Sequence, residues 1–264
     1  MASDAHAHPF DLSALFPGAE QERKALGIHC AASAWNEEQF LFHEALSRDS
    51  GPAKMVLCFG VHPQLPRGNP DPENIKRLEM FLEKTAGEKR LAAVGETGFD
   101  FFDEDYRATR EVQERIFRYH LSVARESGLP LVLHIRKAMD RVFYYAKDLA
   151  KLPAVIFHSY SGTFREAGDL LKRRVNAYYS FGTPIVLNHK KAMEAAALLD
   201  PERLLTETDA PYQTLRNNEF SSWKDIHNII EAMAKLRKER GSKINTFEEV
   251  EHRTDANFRK AFFQ

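Results

Sequence analysis

Two imidazoles and a carboxylate stand at alternate positions near the start of the chain, in the stretch DAHAH at residues 4–8. In an extended strand, side chains two residues apart point to the same face, so His6 and His8 would face one way with Asp4 behind them. Two neutral imidazoles on one face can bind a divalent metal, and a carboxylate behind them can hold the rings in place. A polar N-terminal arm or a fragment of an affinity tag is the alternative interpretation of this stretch alone.

Ionisable groups of the same kinds follow short apolar runs further along the chain. These runs end, in chain order, at His62, Glu96, His134, His158 and Asp209. In a parallel barrel the carboxyl ends of all strands open on one face, so these side chains and the two early histidines would converge there. Each group alone could be a hydrogen-bonded histidine, a helix cap or a turn residue. A shared metal centre explains all of them at once.

The types of donor narrow the choice of metal. Four histidines and two carboxylates, with no thiolate, suit Mg²⁺, Mn²⁺, Zn²⁺, Co²⁺ or Fe²⁺ rather than copper(I) or an iron–sulfur cluster. Six donors are more than one tetrahedral ion needs. Two ions about 3.5–4 Å apart, bridged by a carboxylate, would use them all and would acidify a bound water.

The elements that must position these groups alternate regularly along the sequence. Short apolar runs typical of strands buried on both faces span residues 54–60, 90–96, 130–134, 154–158, 177–182 and 203–209. Helical patterns are found at residues 71–85, 112–124, 163–173, 190–199 and 222–240, and a capping box at 246–249 opens a last helix that ends near residue 262. This alternation predicts a (β/α)8 TIM-type barrel, with an open doubly wound sheet as the alternative. No linker-like segment interrupts it, so residues 1–264 are predicted to form a single domain, with a connecting loop at 63–72.

Composition excludes several classes of protein. The net charge of −1 provides no global basic field, so a nucleic acid would not be held by bulk electrostatics. The apolar fraction of 43% is ordinary, and no run of about eighteen apolar residues suggests a membrane span. Cys30 and Cys58 do not form a CxxC motif and no secretory signal is recognisable, which favours a reduced, cytoplasmic setting.

The motifs around these groups, taken in order, resemble those of the TatD family of metal-dependent hydrolases, within the amidohydrolase superfamily. They are DAHAH (4–8), GVHP (60–63), GETGFD (95–100), LPLVLHIR (129–136), FHSYSG (157–162) and LLTETDAPY (204–212). The resemblance implies a distorted (β/α)8 barrel that holds two divalent ions. It also implies phosphodiester hydrolysis on DNA, often as a 3′–5′ exonuclease, so that DNA ends or single strands would be the partner.

The resemblance further implies a division of the metal ligands between the two ions. His6 and His8 would bind the first ion, and Glu96 would bridge both. His134 and His158 would bind the second ion.

The remaining roles concern the attacking water and the substrate. By the same resemblance, Asp209 would sit on the first ion and accept protons from the water, while His62 and Arg136 would lie beside the substrate phosphate. Glu207 is inferred from the residues themselves, because it precedes Asp209 by two positions and would face the barrel axis below the ions. There it would hydrogen-bond a ligand imidazole, that of His6, His8 or His158, although a buried acid satisfied by backbone is the alternative.

The chain departs from the family pattern at the rim of the expected pocket. HIRK (134–137), HSYSG (158–162) and GETGFDFF (95–102) replace the usual HSRD, HCFSG and GE-x-GLDYY, which leaves the substrate preference open. Hydrolysis of a small ester, lactone or amide is one alternative function, although no lysine ends a strand to serve as a carbamylated bridge. A non-catalytic scaffold is another, although all six donors are retained. His29 could end a short strand, and no role is assigned to the histidines in helical patterns, at positions 43, 120, 189, 227 and 252.

Overall fold

The computed structural model describes residues 1–67 and 71–263 of the chain. Eight strands form one parallel sheet in which the spatial order follows the sequence, so each strand pairs with the next. The strands are β1 (Ser3–Ala7), β2 (His29–Ala34), β3 (Met55–Phe59), β4 (Ala93–Asp100), β5 (Leu131–Arg136), β6 (Val155–Phe157), β7 (Ala177–Phe181) and β8 (Leu204–Thr206). The predicted parallel α/β architecture is therefore confirmed.

The sheet curls into a nearly closed barrel whose seam lies between β1 and β8. Beyond the end of β8, the N–H of Asp209 donates to the carbonyl of His6 (2.9 Å), and the N–H of His8 donates to the carbonyl of Ala210 (2.7 Å). These two bonds join the first and last segments at the mouth of the barrel, meaning the end where the strands finish. The barrel is thus distorted at the seam, and the open-sheet alternative is wrong.

Helices connect the strands and cover the outside of the barrel. They are α1 (Pro9–Leu15), α2 (Ala19–Leu26), α3 (Glu37–Arg48), α4 (Pro72–Gly87), α5 (Glu104–Ala108), α6 (Arg110–Ser127), α7 (Met139–Tyr144), α8 (Ala146–Leu149), α9 (Phe164–Lys172), α10 (Thr183–Val186), α11 (Lys190–Leu198), α12 (Asp225–Glu239) and α13 (Phe247–Phe262). A short 3₁₀ helix spans Pro201–Arg203. Within the described ranges, none of the helices has the length and apolar character needed to cross a bilayer.

The helix ends follow the capping chemistry in the sequence. Asp71 accepts hydrogen bonds from two backbone N–H groups of the first turn of α4. The predicted capping box of Thr246 and Glu249 is present at the start of α13. α12 begins at Asp225, three residues later than predicted, and the carboxylate of Asp225 accepts a hydrogen bond from the N–H of Ser222 (2.9 Å). Of the predicted loop at 63–72, residues 68–70 lie outside the described part of the chain.

The barrel interior is filled by one buried side chain from each strand. Small residues on β1 to β4 face larger ones on β5 to β8, in the layer Ala5, Ala31, Cys58, Ala93, Val132, Ile156, Tyr178 and Leu205. Phe258 and Phe262 of α13 pack against this layer and belong to the same apolar cluster. The interior is therefore a packed core, which leaves the opposite mouth for polar groups.

Strand β2 was missed by the sequence analysis because its residues, HCAASA, are mostly small rather than strongly apolar. His29 begins this strand instead of ending it, so the ring lies at the end of the barrel opposite the mouth. There its Nδ1 accepts a hydrogen bond from the N–H of Lys54 (2.9 Å) and its ring stacks on Phe258. His29 is thus a structural residue, remote from the other strand-end histidines.

Candidate metal centre

His6 and His8 lie at the end of β1 with their Nε2 atoms only 3.2 Å apart, and both rings are buried. Two carboxylates face this pair. Oε2 of Glu96 lies 3.1 Å from Nε2 of His6 and 3.7 Å from that of His8. Oδ1 of Asp209 lies 3.7 Å and 3.4 Å from the same two nitrogens. These four groups form one cluster of nitrogen and oxygen atoms at the seam of the barrel.

The other carboxylate oxygen of Glu96 faces three further imidazoles. Oε1 lies 2.9 Å from Nδ1 of His134, 3.0 Å from Nε2 of His62 and 3.2 Å from Nε2 of His158. Glu96 is only 4% exposed, so its carboxylate stands between two groups of donors with little contact with solvent. A carboxylate placed in this way can bridge a pair of divalent ions.

Glu96 reaches this position because β4 carries an extra residue next to it. Across residues 94–97 the register shifts, so that three steps along β4 match two along β5. Gly95 has a φ of +109°, and a Cβ there would lie 2.4 Å from the carbonyl oxygen of Val132. β1 has a similar shift across residues 4–7, which include one of the paired histidines. Both irregularities turn candidate metal-ligand side chains into the mouth.

His158 and His134 each have a carboxylate beside the ring nitrogen that points away from Glu96. Nδ1 of His158 lies 3.1 Å from Oε1 of Glu207, and Nε2 of His134 lies 3.3 Å from Oδ2 of Asp100. In a neutral ring each carboxylate accepts the single ring hydrogen, so the other nitrogen directs its lone pair at Glu96. Of the three imidazoles considered for Glu207, that of His158 is the one it contacts. Asp100 belongs to the GETGFD motif. Its contact with His134 joins β4 to β5, and no local sequence pattern predicts it.

His62 has the opposite arrangement of its ring nitrogens. The backbone N–H of Gln64 donates to Nδ1 of His62 (3.1 Å), so the hydrogen of the neutral ring lies on Nε2, which faces Glu96. Burial lowers the pKa of this ring and so favours the neutral form. A nitrogen that carries hydrogen donates a hydrogen bond and does not bind a metal. This distinguishes His62 from the imidazoles with inward lone pairs.

Opposite charges within the centre shift its pKa values strongly. Burial raises the pKa of Glu96, but the surrounding imidazoles outweigh burial and hold this pKa well below its usual range. Burial lowers the pKa of His158, but the carboxylates of Glu207 and Glu96 outweigh burial and raise it well above its usual value. An ionised carboxylate thus faces a protonated imidazole. A divalent cation bound here would displace that proton.

Asp209 has a left-handed backbone with a φ of 56°, which is uncommon for a residue other than glycine. Its Oδ2 accepts a hydrogen bond from Nε2 of Gln213 (2.7 Å), while Oδ1 faces the histidine pair of β1. Strained backbone of this kind is typical of functional sites, where the surrounding structure maintains it. The sequence analysis did not identify Gln213, and no motif or periodicity around it marks the contact.

Asp4 does not hold the imidazoles, contrary to the expectation from its spacing. Its carboxylate accepts hydrogen bonds from the hydroxyl (2.6 Å) and N–H (3.0 Å) of Thr208 and from the N–H of His6 (3.2 Å). Burial raises the pKa of Asp4 to about 7. The residue links β1 to the segment after β8, and so it supports the backbone that carries His6 and Asp209.

The centre opens into a cavity of about 750 Å³ at the mouth, whose lining includes His8, Trp35, Arg136, Ser159, His189 and Tyr212. Arg136 is exposed at the rim of this cavity, with its guanidinium 3.6 Å from the ring centroid of Phe102. His189, for which the sequence analysis assigned no role, lines the same cavity because it directly precedes α11 on the mouth side.

The side chains at the centre fit divalent cations by their chemistry. The described residues contain three overlapping groups of three donors, each with its donor atoms within 4.8 Å of one another. They combine imidazole nitrogen with carboxylate oxygen and include no thiolate, which suits Mg²⁺, Mn²⁺, Zn²⁺, Co²⁺ or Fe²⁺. The close approach of two ring nitrogens, those of His6 and His8, is explained if both lone pairs are directed at one cation.

Comparisons with known proteins extend over nearly the whole chain. A family model described as TatD related DNase matches residues 3–263. An uncharacterized metal-dependent hydrolase of Methanocaldococcus jannaschii is 32% identical over 186 residues, which cover 70% of this chain and 68% of that protein. The 3′-5′ ssDNA/RNA exonuclease TatD of Musicola paradisiaca is 30% identical over 202 residues, covering 74% of this chain and 64% of that protein. The crystal structure of YjjV, a TatD homolog from Escherichia coli, has a similar fold, with a TM-score of 0.81 at 23% identity over 100% of this chain and 98% of that one.

Proposed function

Since the chain belongs to the TatD family of metal-dependent hydrolases, we propose that it cleaves phosphodiester bonds in single-stranded nucleic acid, from the 3′ end, using two divalent ions. The observation that carries this proposal is the position of Glu96. One of its oxygens faces the pair His6 and His8, and the other faces His134 and His158. A single carboxylate shared by two sets of donors is the arrangement that a two-metal hydrolase needs.

The metal ligands in this proposal are six side chains of the centre. Glu96 would be shared between the two ions, the cluster at the seam would hold one, and the histidines on β5 and next to β6 would hold the other. The full set is His6, His8, Glu96, His134, His158 and Asp209. When bound, the two ions acidify a water molecule and balance negative charge on phosphoryl oxygens. Mg²⁺, Mn²⁺, Zn²⁺, Co²⁺ and Fe²⁺ all suit these donors.

Asp209 accepts the proton of the attacking water in this mechanism. Burial raises its pKa, but hydrogen bonding to His8 and the charges of nearby imidazoles outweigh burial and lower it, so the carboxylate is ionised at neutral pH. The hydrogen bond from Gln213 holds the second oxygen and so fixes the orientation of the first. Glu207 acts one step further out, as a positioning residue that keeps the lone pair of His158 directed inward.

His62 and Arg136 contact the substrate phosphate. His62 presents an N–H at the centre because its other nitrogen accepts from Gln64, and such a donor stabilises charge that develops on a phosphoryl oxygen. Arg136 presents a permanently charged, planar group at the rim of the same cavity. Both groups line the cavity that contains the proposed metal ligands.

The substrate class and setting rest on further observations. Relatives at 30% to 36% identity are named 3′-5′ ssDNA/RNA exonuclease TatD, which supports a nucleic acid substrate. Cys30 and Cys58 are both buried free thiols, which supports a reducing, cytoplasmic setting. We further propose that residues 1–264 act as a single domain.

The proposal is tested by elemental analysis and by hydrolysis assays with each candidate metal. Bis-p-nitrophenyl phosphate, a single-stranded oligonucleotide labelled at its 5′ end, and simple p-nitrophenyl esters are compared. We expect cleavage of the two phosphodiester substrates with shortening from the 3′ end, loss of cleavage on chelation, and loss in Asp209→Asn. Cleavage of the esters alone, or of no substrate with any of the metals, would overturn it.

A further inference from the structure

Strands β4 and β5 extend further beyond the mouth than their neighbours. Their pairing continues past Gly98 and His134 to Asp100 and Arg136. The pairing of β4 with β3 ends at Val94, and that of β5 with β6 ends at Leu133. Phe102 lies two residues beyond the end of β4. Because two residues of strand span roughly 7 Å, this edge stands well above the level of the ligand His134.

Three side chains form the top of this edge, which we call the β4–β5 lip: Phe102, Arg136 and Lys137. Phe102 is 42% exposed. Arg136 places its guanidinium carbon 3.6 Å from the ring centroid, and Lys137 places its Nζ 4.4 Å away. Lys137 also donates from Nζ to the carbonyl of Phe102 (3.0 Å). One aromatic ring thus holds two cations in place.

Most of the other described arginines that stack on rings, unlike the cations of the lip, also pair with a carboxylate. Arg67, Arg90 and Arg141 also lie over aromatic rings, but each forms an ion pair with a carboxylate. Within residues 1–67 and 71–263, no carboxylate oxygen lies within ion-pair distance of Arg136 or Lys137. The lip therefore carries two fixed positive charges that the protein itself does not neutralise, and they can pair with an anionic partner.

The lip connects two cavities at the mouth. Arg136 lines the cavity that contains the metal ligands, and Lys137 lines a neighbouring cavity of about 380 Å³. The two cavities share the lining residues Ile135, His158 and Ser161, so they are adjacent. A chain of phosphates that enters the centre can thus continue past Arg136 toward Lys137.

We infer that the β4–β5 lip binds the sugar–phosphate backbone of a single-stranded nucleic acid, with Lys137 on the phosphate next to the scissile one. This inference rests on the proposed nuclease function and adds a subsite to it. Arg136 lies between the two phosphates, and Phe102 holds both cations in position. A small phosphodiester fills only the centre, so the lip contributes to the selection of a polymer.

The test measures binding of a fluorescein-labelled single-stranded oligonucleotide to the protein in the presence of EDTA, by fluorescence anisotropy over a range of KCl concentrations. Lys137→Ala is expected to raise Kd about tenfold at low salt, since it removes one charge-assisted contact. It should also reduce the slope of log Kd against log salt by roughly 0.7, the value for one phosphate contact on a single strand. Phe102→Leu keeps an apolar side chain but removes the aromatic face, and it should raise Kd by a smaller factor.

Lys172→Ala is the matched control. Lys172 lies in the last turn of α9, which leads back to the start of β7 at the opposite end of the barrel, and it pairs with Asp169 (2.9 Å). It should retain the Kd and salt slope of the parent protein. Equal binding by Lys137→Ala, Phe102→Leu and the parent would overturn the role of the lip.

Hydrolysis separates a failure of this inference from a failure of the proposed function. With metal added, Lys137→Ala should lower kcat/KM for the oligonucleotide relative to that for bis-p-nitrophenyl phosphate. If the parent cleaves both substrates and this ratio is unchanged in the variant, the lip is refuted while the nuclease function stands. If the parent cleaves neither substrate, the proposed function itself fails.

Discussion

Replacing Glu207 by glutamine should weaken the binding of one divalent ion by about tenfold. Oε1 of Glu207 accepts hydrogen bonds from the N–H of Ser159 (2.7 Å) and from Nδ1 of His158 (3.1 Å). An amide oxygen can accept both, so Glu207→Gln preserves shape and removes the negative charge behind the imidazole. A hydrogen bond to a charged group contributes about 1.5 kcal/mol more than a neutral one, which corresponds to about tenfold in Kd.

The same substitution should also lower the stability of the metal-free protein. Oε2 of Glu207 has no hydrogen-bond partner among the described residues, so the new NH₂ group would be a buried donor without an acceptor. We therefore expect a loss of about 1–3 kcal/mol in the free energy of unfolding of the metal-free protein. Urea unfolding in EDTA measures this cost separately from metal affinity.

Isothermal titration calorimetry with Mn²⁺ and Zn²⁺ on the folded, metal-free variant provides the decisive measurement. One of the two binding constants should fall and the other should stay, because Glu207 contacts only His158 among the proposed ligands. Glu249→Gln is the control, since the Glu249 carboxylate also accepts backbone N–H groups but does so in the capping box of α13. Parental affinity at both sites in Glu207→Gln would refute the positioning role, as would an equal loss in the control.

Three further changes probe the centre and its supports. Glu96→Gln should lower hydrolysis of bis-p-nitrophenyl phosphate about a thousandfold, or ~4 kcal/mol of barrier, and a loss under tenfold would contradict the bridging role. Burial lowers the pKa of His120 to about 4, so its protonation destabilises the fold by up to ~3 kcal/mol as the pH falls from about 6.5 to 4. The free energy of unfolding in urea should therefore depend less on pH in His120→Gln. An unchanged pH dependence would disprove the role of His120. Gly95→Ala should lower the free energy of unfolding in urea far more than Gly128→Ala. Both glycines have a positive φ, but of the two only Gly95 would bring a Cβ into collision with backbone. Equal losses in the two variants would show that the collision is relieved.

The convergence of the donors could be predicted from the sequence because it follows from topology. Parallel strands of a barrel all finish on one face, so a polar residue after each apolar run is placed at the mouth without knowledge of any long-range contact. His134, His158 and Asp209 were found in this way. β2 was not predicted because its small residues provide no apolar run. His29 was consequently placed at the wrong end of a strand.

Strict alternation along a strand failed where the strands themselves are irregular. Asp4 and His6 were expected on one face, but the register shift across residues 4–7 separates them, and Asp4 bonds to Thr208 instead. The shift next to Glu96 depends on the backbone of Gly95 approaching β5 closely, which a single sequence does not reveal. Bulges are common beside active sites because they redirect one side chain without disturbing the rest of the strand.

Residues outside the strands that hold the site in place, such as His120, could not be predicted for a different reason. His120 lies in α6, where its position in a helical pattern indicated no role. In the structure its Nε2 accepts a hydrogen bond from the N–H of Val61 (2.8 Å), and Nδ1 donates to the carbonyl of Ile116 (2.8 Å). It therefore holds the backbone one residue before His62. The partners are 59 positions apart, and no local pattern encodes such a contact.

The sequence alone does not determine which ring nitrogen of each histidine carries the hydrogen. His62 follows β3 and His134 lies in β5, and both are within hydrogen-bond distance of Glu96, yet their environments favour opposite tautomers of the neutral ring. A backbone N–H stands behind His62, so its hydrogen points inward, whereas the carboxylate of Asp100 stands behind His134 and draws the hydrogen outward. The residue type determines that a ring can bind a metal. The group behind the ring determines whether it presents a lone pair or a hydrogen to the centre.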